Sequence, residues 1–273
     1  MDLDTVFHEL TARREGAHMP HVYYGDPTEA FSLRLIRALA EAGADLIEFG
    51  IPFSDPTADG ATFQAACDRA LKNGMTPTHC IAGIRKLRAS GVDLPIIVTT
   101  YYNIPYVLGL ATFLRQIKAA GAQGIIVPNL PIEEAHDLLR EGQQQGIHVI
   151  LQATPTTTDD RLQRIVAAAS GFLYVINVEG VTGAREQVAD STLTLIQRVK
   201  SRTAIPVLAG FGIATQAHAA AAVSAGADGV IVGSAYAQLY ARNLQDPDAT
   251  LPAITQLARQ IKQGCNDGYT RRP

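Results

Sequence analysis

The 273-residue chain predicts a single (β/α)8 (TIM) barrel. Three observations carry that expectation. Short β-rich runs alternate with Ala-rich helical windows along the whole length, the pattern of repeated βα units around a parallel sheet. Eight strand candidates are found, more than a doubly wound sheet commonly needs, and their spacing matches a barrel. A weak internal repeat, AGAD at 42–45, AGAQ at 120–123 and AGAD at 225–228, stands each time between a helix end and a strand start, where glycine caps the helix.

In chain order, a helix at 3–15 within segment 1–16 is expected to close the bottom of the barrel. Strands are expected at 21–24, 46–49, 96–100, 124–127, 148–151, 172–176, 206–209 and 229–232. Helix-competent segments follow them, among them 28–42, 61–70, 133–145, 158–168 and 215–225, with a short extra helix, 235–240, directly after the eighth strand. Residues 94–114 carry no Asp, Glu, Lys or Arg, but Pro95, Asn103, Pro105 and Gly109 argue against a spanning helix. A strand, an apolar loop at 103–110 and a helix are expected there, and so apolar a loop implies a covering partner. Residues 177–189 form the longest expected loop, of a size that serves as a lid or binding element. No linker interrupts the pattern, so 1–273 is read as one domain with a frayed tail at 265–273.

Composition narrows the function classes. Apolar residues make up 47% and charged residues 18%, with a formal charge of −3, and no basic stripe marks a nucleic-acid surface. Three unevenly spaced cysteines, Cys67, Cys80 and Cys265, fit neither a disulfide framework nor a zinc site. An acidic N-terminus with no long apolar run after it is unlike a signal peptide, and a cytoplasmic, non-membrane protein is expected. The seven histidines show no metal-ligand spacing, so no metal is expected. His21, at the start of the first strand, reads as a satisfied, partly buried histidine.

Two carboxylates frame the most informative segment. Glu48 ends an apolar strand run, where a charge must face a polar cavity or be neutralised, and strand C-terminal ends are where barrels carry chemistry. Glycines and prolines at 50, 52, 56 and 60 then make a loop that brings Asp59 toward Glu48 across a shared pocket. The bland alternatives are a buried ion pair for Glu48 and a helix N-cap before 61–70 for Asp59.

Gly210, Phe211 and Gly212 follow the seventh strand, and Gly233 and Ser234 the eighth. These are the positions where barrels bind phosphate through backbone N–H groups and a helix N-terminus. In the long loop after the sixth strand, Gly180 and Gly183 can act as hinges or phosphate donors, and Thr182 offers a hydroxyl. Tyr174 and Tyr101 stand equally open as barrel-layer residues or as site residues.

Taken together, LIEFGIPFSDPTADG (46–60), GVTG (180–183), GFGI (210–213) and GS (233–234) resemble the tryptophan synthase α chain family. The likeness runs from REG at 14–16 and GDP at 25–27 to GSA at 233–235, and the E-x-G-x-P-F-S-D-P-x-A-D-G block is highly specific. The resemblance implies a (β/α)8 lyase that cleaves indole-3-glycerol phosphate to indole and glyceraldehyde 3-phosphate, with Glu48 as acid/base and Asp59 on the indole N–H. It further implies Tyr174 beside the substrate and Thr182 closing onto Asp59, and Tyr101 is kept as a substrate-binding candidate. Phosphate would rest on Gly183, Phe211, Gly212, Gly233 and Ser234. A pyridoxal-phosphate β chain in an α2β2 complex is implied as partner, docking at Asp55, Pro56, Asn103, Tyr106, Asn129 and Pro131, while this chain needs no cofactor. Three places depart from the family's pattern: His21 where Phe is common, Asn129 where Asp is frequent, and 177–179 where a Ser-Arg pair is often found. The first bears on packing around the indole, the others on coupling to the partner. Two other readings stand beside this one, a lyase that works alone and a barrel that binds phosphate or activates a partner without chemistry of its own.

Overall fold

The computed structural model describes residues 2–176, 190–210 and 212–272. Strands β1 (Ala17–Tyr23), β2 (Ile47–Gly50), β3 (Ile96–Thr99), β4 (Gly124–Ile126), β5 (His148–Ala153), β6 (Leu173–Ile176), β7 (Val207–Gly210) and β8 (Gly229–Val232) pair in sequence order, all parallel, and β8 closes on β1. Around them lie α1 (Leu3–Arg13), α2 (Glu29–Glu41), α3 (Ala61–Lys72), α4 (Pro77–Ala89), α5 (Asn103–Leu108), α6 (Leu110–Ala120), α7 (His136–Gln145), α8 (Asp159–Ala168), α9 (Asp190–Lys200), α10 (Gln216–Ser224), α11 (Ser234–Ala241) and α12 (Leu251–Thr270). Threonine begins four of these helices: Thr28, Thr76, Thr158 and Thr215 each accept a bond from a first-turn N–H that has no intrahelical partner.

The internal repeat proves to be a structural joint. Gly43, Gly121 and Gly226 all sit at positive φ, from 98° to 115°, where a side chain would strain the backbone. Two residues on, Asp45, Gln123 and Asp228 each turn a side-chain oxygen back onto the first N–H groups of the neighbouring strand: His18, Ile96 and Val207 donate at 2.8 Å. Each helix-to-strand turn therefore also satisfies a strand-start donor that would otherwise be orphaned.

Strand periodicity sorts the core into two bodies. Outward residues such as Val22, Ile47, Val98, Ile125, Leu173 and Val230 pack against the helices. The inward set, including Met19, Leu46, Ile97, Ile126, Ile150, Tyr174, Leu208 and Ile231, fills the lumen together with Leu3, Val6, Phe7 and Leu10 of α1. Phe7 meets Phe172 with ring centroids 6.0 Å apart. So α1 seals the end where the strands begin. Glu48 shares the inward parity of Leu46 and Gly50, which aims it into the lumen at the opposite end.

Two expectations fail. Segment 103–110 is not a loop: residues 103–108 form α5, whose Pro105 lies in the first turn, where the missing N–H has no bond to lose. The tail is not frayed, because α12 continues to Thr270 with Cys265 and Gly268 buried. Gly264 and Gly268 let α12 approach the backbone of α10 so closely that an added Cβ would lie 2.3 Å from the Gln216 carbonyl oxygen and 2.5 Å from that of Ala220. Arg272 then donates to the Val223 carbonyl and faces Asp228. Among the described residues, no helix is long and apolar enough to cross a membrane.

Candidate active site

Glu48 is buried (1% exposed) near the C-terminal end of β2, and its neighbours differ for its two oxygens. Oε1 accepts a 2.6 Å bond from the Thr99 hydroxyl on β3 and lies 3.4 Å from Nδ1 of His21 on β1. Oε2 is buried with no hydrogen-bond partner among the described residues. Burial pushes the carboxyl up to about 8, against the Thr99 hydrogen bond and with help from the charge of Asp59. No arginine or lysine pairs with it among the described residues.

Asp59 arrives from the loop after β2. It does not cap α3, whose N-cap is Gly60 with no side-chain bond. Instead its Oδ2 accepts two hydroxyls, Tyr101 at 2.6 Å and Tyr23 at 2.7 Å, and Oδ1 keeps a free lone-pair side among the described residues. Burial raises the Asp59 pKa, and the Tyr101 and Tyr23 bonds pull it back. The Tyr101 oxygen also accepts from the Ala58 N–H at 3.0 Å, so it fixes the loop backbone as well as the carboxylate. The anchor is two-sided.

Tyr174 is buried on β6 in the lumen cluster, and the Glu48 and Asp59 charges both bear on its hydroxyl, which places all three at one mouth. Glycine at 210 makes room for that ring, since a Cβ there would lie 2.5 Å from it. Gly212 has φ +76° and open space around its α carbon. Gly233 precedes Ser234, the first residue of α11, and supplies no side-chain cap, so the first N–H groups of that helix are free of one. Gly183, Thr182 and Phe211 lie outside the described residues, as do Gly180 and positions 177–179.

Three contributors escaped the sequence reading. Tyr23 and Thr99 bond the two acids directly, and Phe63 of α3 packs its ring 4.5 Å from His21 and 5.1 Å from Tyr23. Strand parity was the available signal for the first two: Tyr23 shares a face with His21, and Thr99 pairs with Gly50 on the face of Glu48. A separate cavity of about 720 Å³, lined by Arg140, Gly146, His148 and Ser170 among others, opens where β5 begins, the end of the barrel associated with stability.

On the rim, α5 exposes an apolar run, Tyr106 (72%), Val107 (80%) and Leu108 (42%). Asn129, after β4, accepts from the Tyr102 N–H at 2.9 Å and faces Asn103 at 3.4 Å, tying that loop to α5. Asp55, Asn103 and Pro131 are exposed, whereas Pro56 is buried and offers a partner little surface.

The profile of tryptophan synthase alpha chains matches residues 7–266. The chain belongs to the tryptophan synthase alpha chain family. The member from Methanothermobacter thermautotrophicus is 43% identical over 261 residues, covering 95% of this chain and 96% of its own. That from Methanoregula boonei is 45% identical over 225 residues, 82% of this chain and 84% of its own. The crystal structure of tryptophan synthase subunit alpha from Legionella pneumophila superposes with a TM-score of 0.88 at 31% identity, covering 98% of this chain and 99% of that one. Family membership makes this an enzyme of tryptophan biosynthesis, a lyase on a (β/α)8 barrel, and implies a β-chain partner.

Proposed function

We propose that Glu48 and Asp59 carry the family's reaction here, the retro-aldol cleavage of indole-3-glycerol phosphate to indole and glyceraldehyde 3-phosphate. One observation carries this assignment: two buried or half-buried carboxyls face one barrel mouth, each held by hydroxyls at one oxygen, while the other oxygen has no hydrogen bond among the described residues. Cleavage needs a proton on the ring carbon that bears the glycerol chain and loss of a proton from the adjacent hydroxyl. Near neutral pH the Glu48 carboxyl, with its pKa raised to about 8, is protonated and ready as the acid. It gives its proton to the ring carbon, then takes the hydroxyl proton as the carbon–carbon bond breaks, which returns the acid to its starting form. Positive charge builds on the ring nitrogen in between, and Asp59 Oδ1 accepts that N–H where little water competes.

Gly212, Gly233 and Ser234 fit the phosphate, through backbone N–H groups and the start of α11. Phe211 and Gly183 are proposed for the same role from sequence alone, with Thr182 closing over the site. Tyr174 borders the ring, and Tyr101 acts by holding Asp59. No resident cofactor is called for in these steps; pyridoxal phosphate belongs with the β chain. The test is direct: purified protein is incubated with indole-3-glycerol phosphate, with and without a β chain, and indole is measured.

We place the β chain on α5 and the Asn129–Pro131 turn, in an α2β2 assembly, because the exposed Tyr106–Val107–Leu108 run adjoins the mouth and has no cover among the described residues. Asp55 and Asn103 extend the same rim, and Pro56 backs it from beneath. Tyr106→Asp is expected to weaken β-chain stimulation at least tenfold, about 1.4 kcal/mol of interface. The variant's turnover without a β chain should stay within about twofold of the unmodified protein's, because Tyr106 touches neither acid. Stimulation that survives in titrations with the β chain would move the interface elsewhere.

A further inference from the structure

His21 and Glu48 are register partners on adjacent parallel strands, and both face the lumen. Their approach is close but not a formed hydrogen bond: Nδ1 to Oε1 is 3.4 Å, with 8% and 2% of the two side chains exposed. The imidazole has little freedom. Phe63 and Tyr23 pack on it with centroids 4.5 and 4.9 Å away, and Gly50 leaves the hollow into which Nε2 fits, since a Cβ there would lie 2.9 Å from that atom. Nε2 is buried with no partner among the described residues, so the tautomer carrying its hydrogen on Nδ1 is the one that faces an acceptor, Glu48 Oε1.

We infer that His21 is a positioning residue for proton transfer: with Thr99 it holds Glu48 by Oε1, fixes one carboxyl orientation, and leaves Oε2 as the oxygen that exchanges protons with the substrate. The inference rests on the acid/base assignment of Glu48 and adds to it which oxygen reacts and what holds the other. The Thr99 bond favours the carboxylate form and opposes the burial that raises this group, and on this inference the nearby Nδ1–H of His21, 3.4 Å away, acts in the same direction. Burial also pushes His21 down to about 3, so near neutrality it acts as a neutral donor rather than a counter-ion. Among the described residues, the other ionisable groups facing the pair are Asp59 from the loop after β2, Tyr23 from β1 and Tyr174 from β6, while Thr99 of β3 and Phe63 of α3 carry no charge.

The test follows the Glu48 carboxyl itself, by carbon-13 NMR of protein labelled at the glutamate side-chain carboxyl carbon, with the resonance assigned by its loss in Glu48→Gln. In His21→Phe the titration midpoint should rise by about one pH unit, a tenfold change in proton affinity. Thr99→Val should move it in the same direction, and His21→Gln, which restores an N–H, should return it toward the unmodified value. The alkaline fall of kcat/KM should move with the midpoint, with KM unchanged. A midpoint in folded His21→Phe that stays within about 0.3 unit or falls, or a Gln variant no closer to the unmodified value than Phe, overturns the inference. Because the titration needs no substrate, its failure is distinct from failure of the functional reading, which shows instead as unmodified protein that releases no indole.

Discussion

Glu48→Gln is expected to release indole from indole-3-glycerol phosphate at least about a hundredfold more slowly than the unmodified protein, and up to about ten-thousandfold, the range lost with a general acid–base group. Gln keeps the size of the side chain and can still accept from Thr99, so the fold and substrate affinity should persist while the transferable proton disappears. Single-turnover indole release, with near-ultraviolet circular dichroism as the check on folding, decides the matter. A variant that keeps even a third of the rate would remove Glu48 from the chemistry and shift the burden to Asp59. The loss should appear in kcat with little change in KM, because the contact is used in the transition state rather than in binding.

The same substitution should stabilise the protein, and by an amount that grows with pH. The Glu48 carboxyl is raised from 4.5 to about 8, with burial as the main cause. Between those values the folded protein holds a proton that the unfolded chain has released. Stability from this group is therefore complete below the unfolded value and is lost as pH rises through the folded one. Glutamine mimics the protonated form at every pH. Since one unit corresponds to about 1.4 kcal/mol, the variant should exceed the parent by a few kcal/mol by about pH 9, with the gap closing near pH 4. His21 is present in both proteins, so its own titration cancels to first order. Urea unfolding at a series of pH values reads this directly, and a gap independent of pH would mean that Glu48 is ionised in the fold at neutrality. Both results together would mark a residue kept for chemistry at the expense of stability.

Much of the architecture was legible because barrel strands are short apolar runs set at regular intervals, and the repeat at Gly43, Gly121 and Gly226 marked the turns between them. The acid at 48 could be placed because one polar residue in a run such as LIEF has only two faces to choose between, and one of them is covered by helices. Asp59 was harder. An acid one residue before a glycine-led helix start looks like a cap, whereas its true partners, Tyr23 and Tyr101, lie 36 and 42 positions away and meet it only once the barrel closes. The link between His21 and Glu48 was hidden for the same reason, as register between β1 and β2 is set by tertiary packing rather than local pattern. Pro105 and Gly109 suggested a loop at α5, and a chain terminus suggested a loose tail, because breaker residues and chain ends carry the same letters whether they fray or pack closely, as Gly264 and Gly268 let α12 do.

The closure of the lower end by Leu3, Val6, Phe7 and Leu10 makes the barrel a flask rather than a pipe. On the proposed function, a small aromatic product formed at Glu48 meets layers of packed side chains below it, so among the described residues its way out lies at the opposite end, the neck of the flask. Whatever receives that molecule has to sit over the neck, and the uncovered aromatic and aliphatic side chains of α5 stand on its lip.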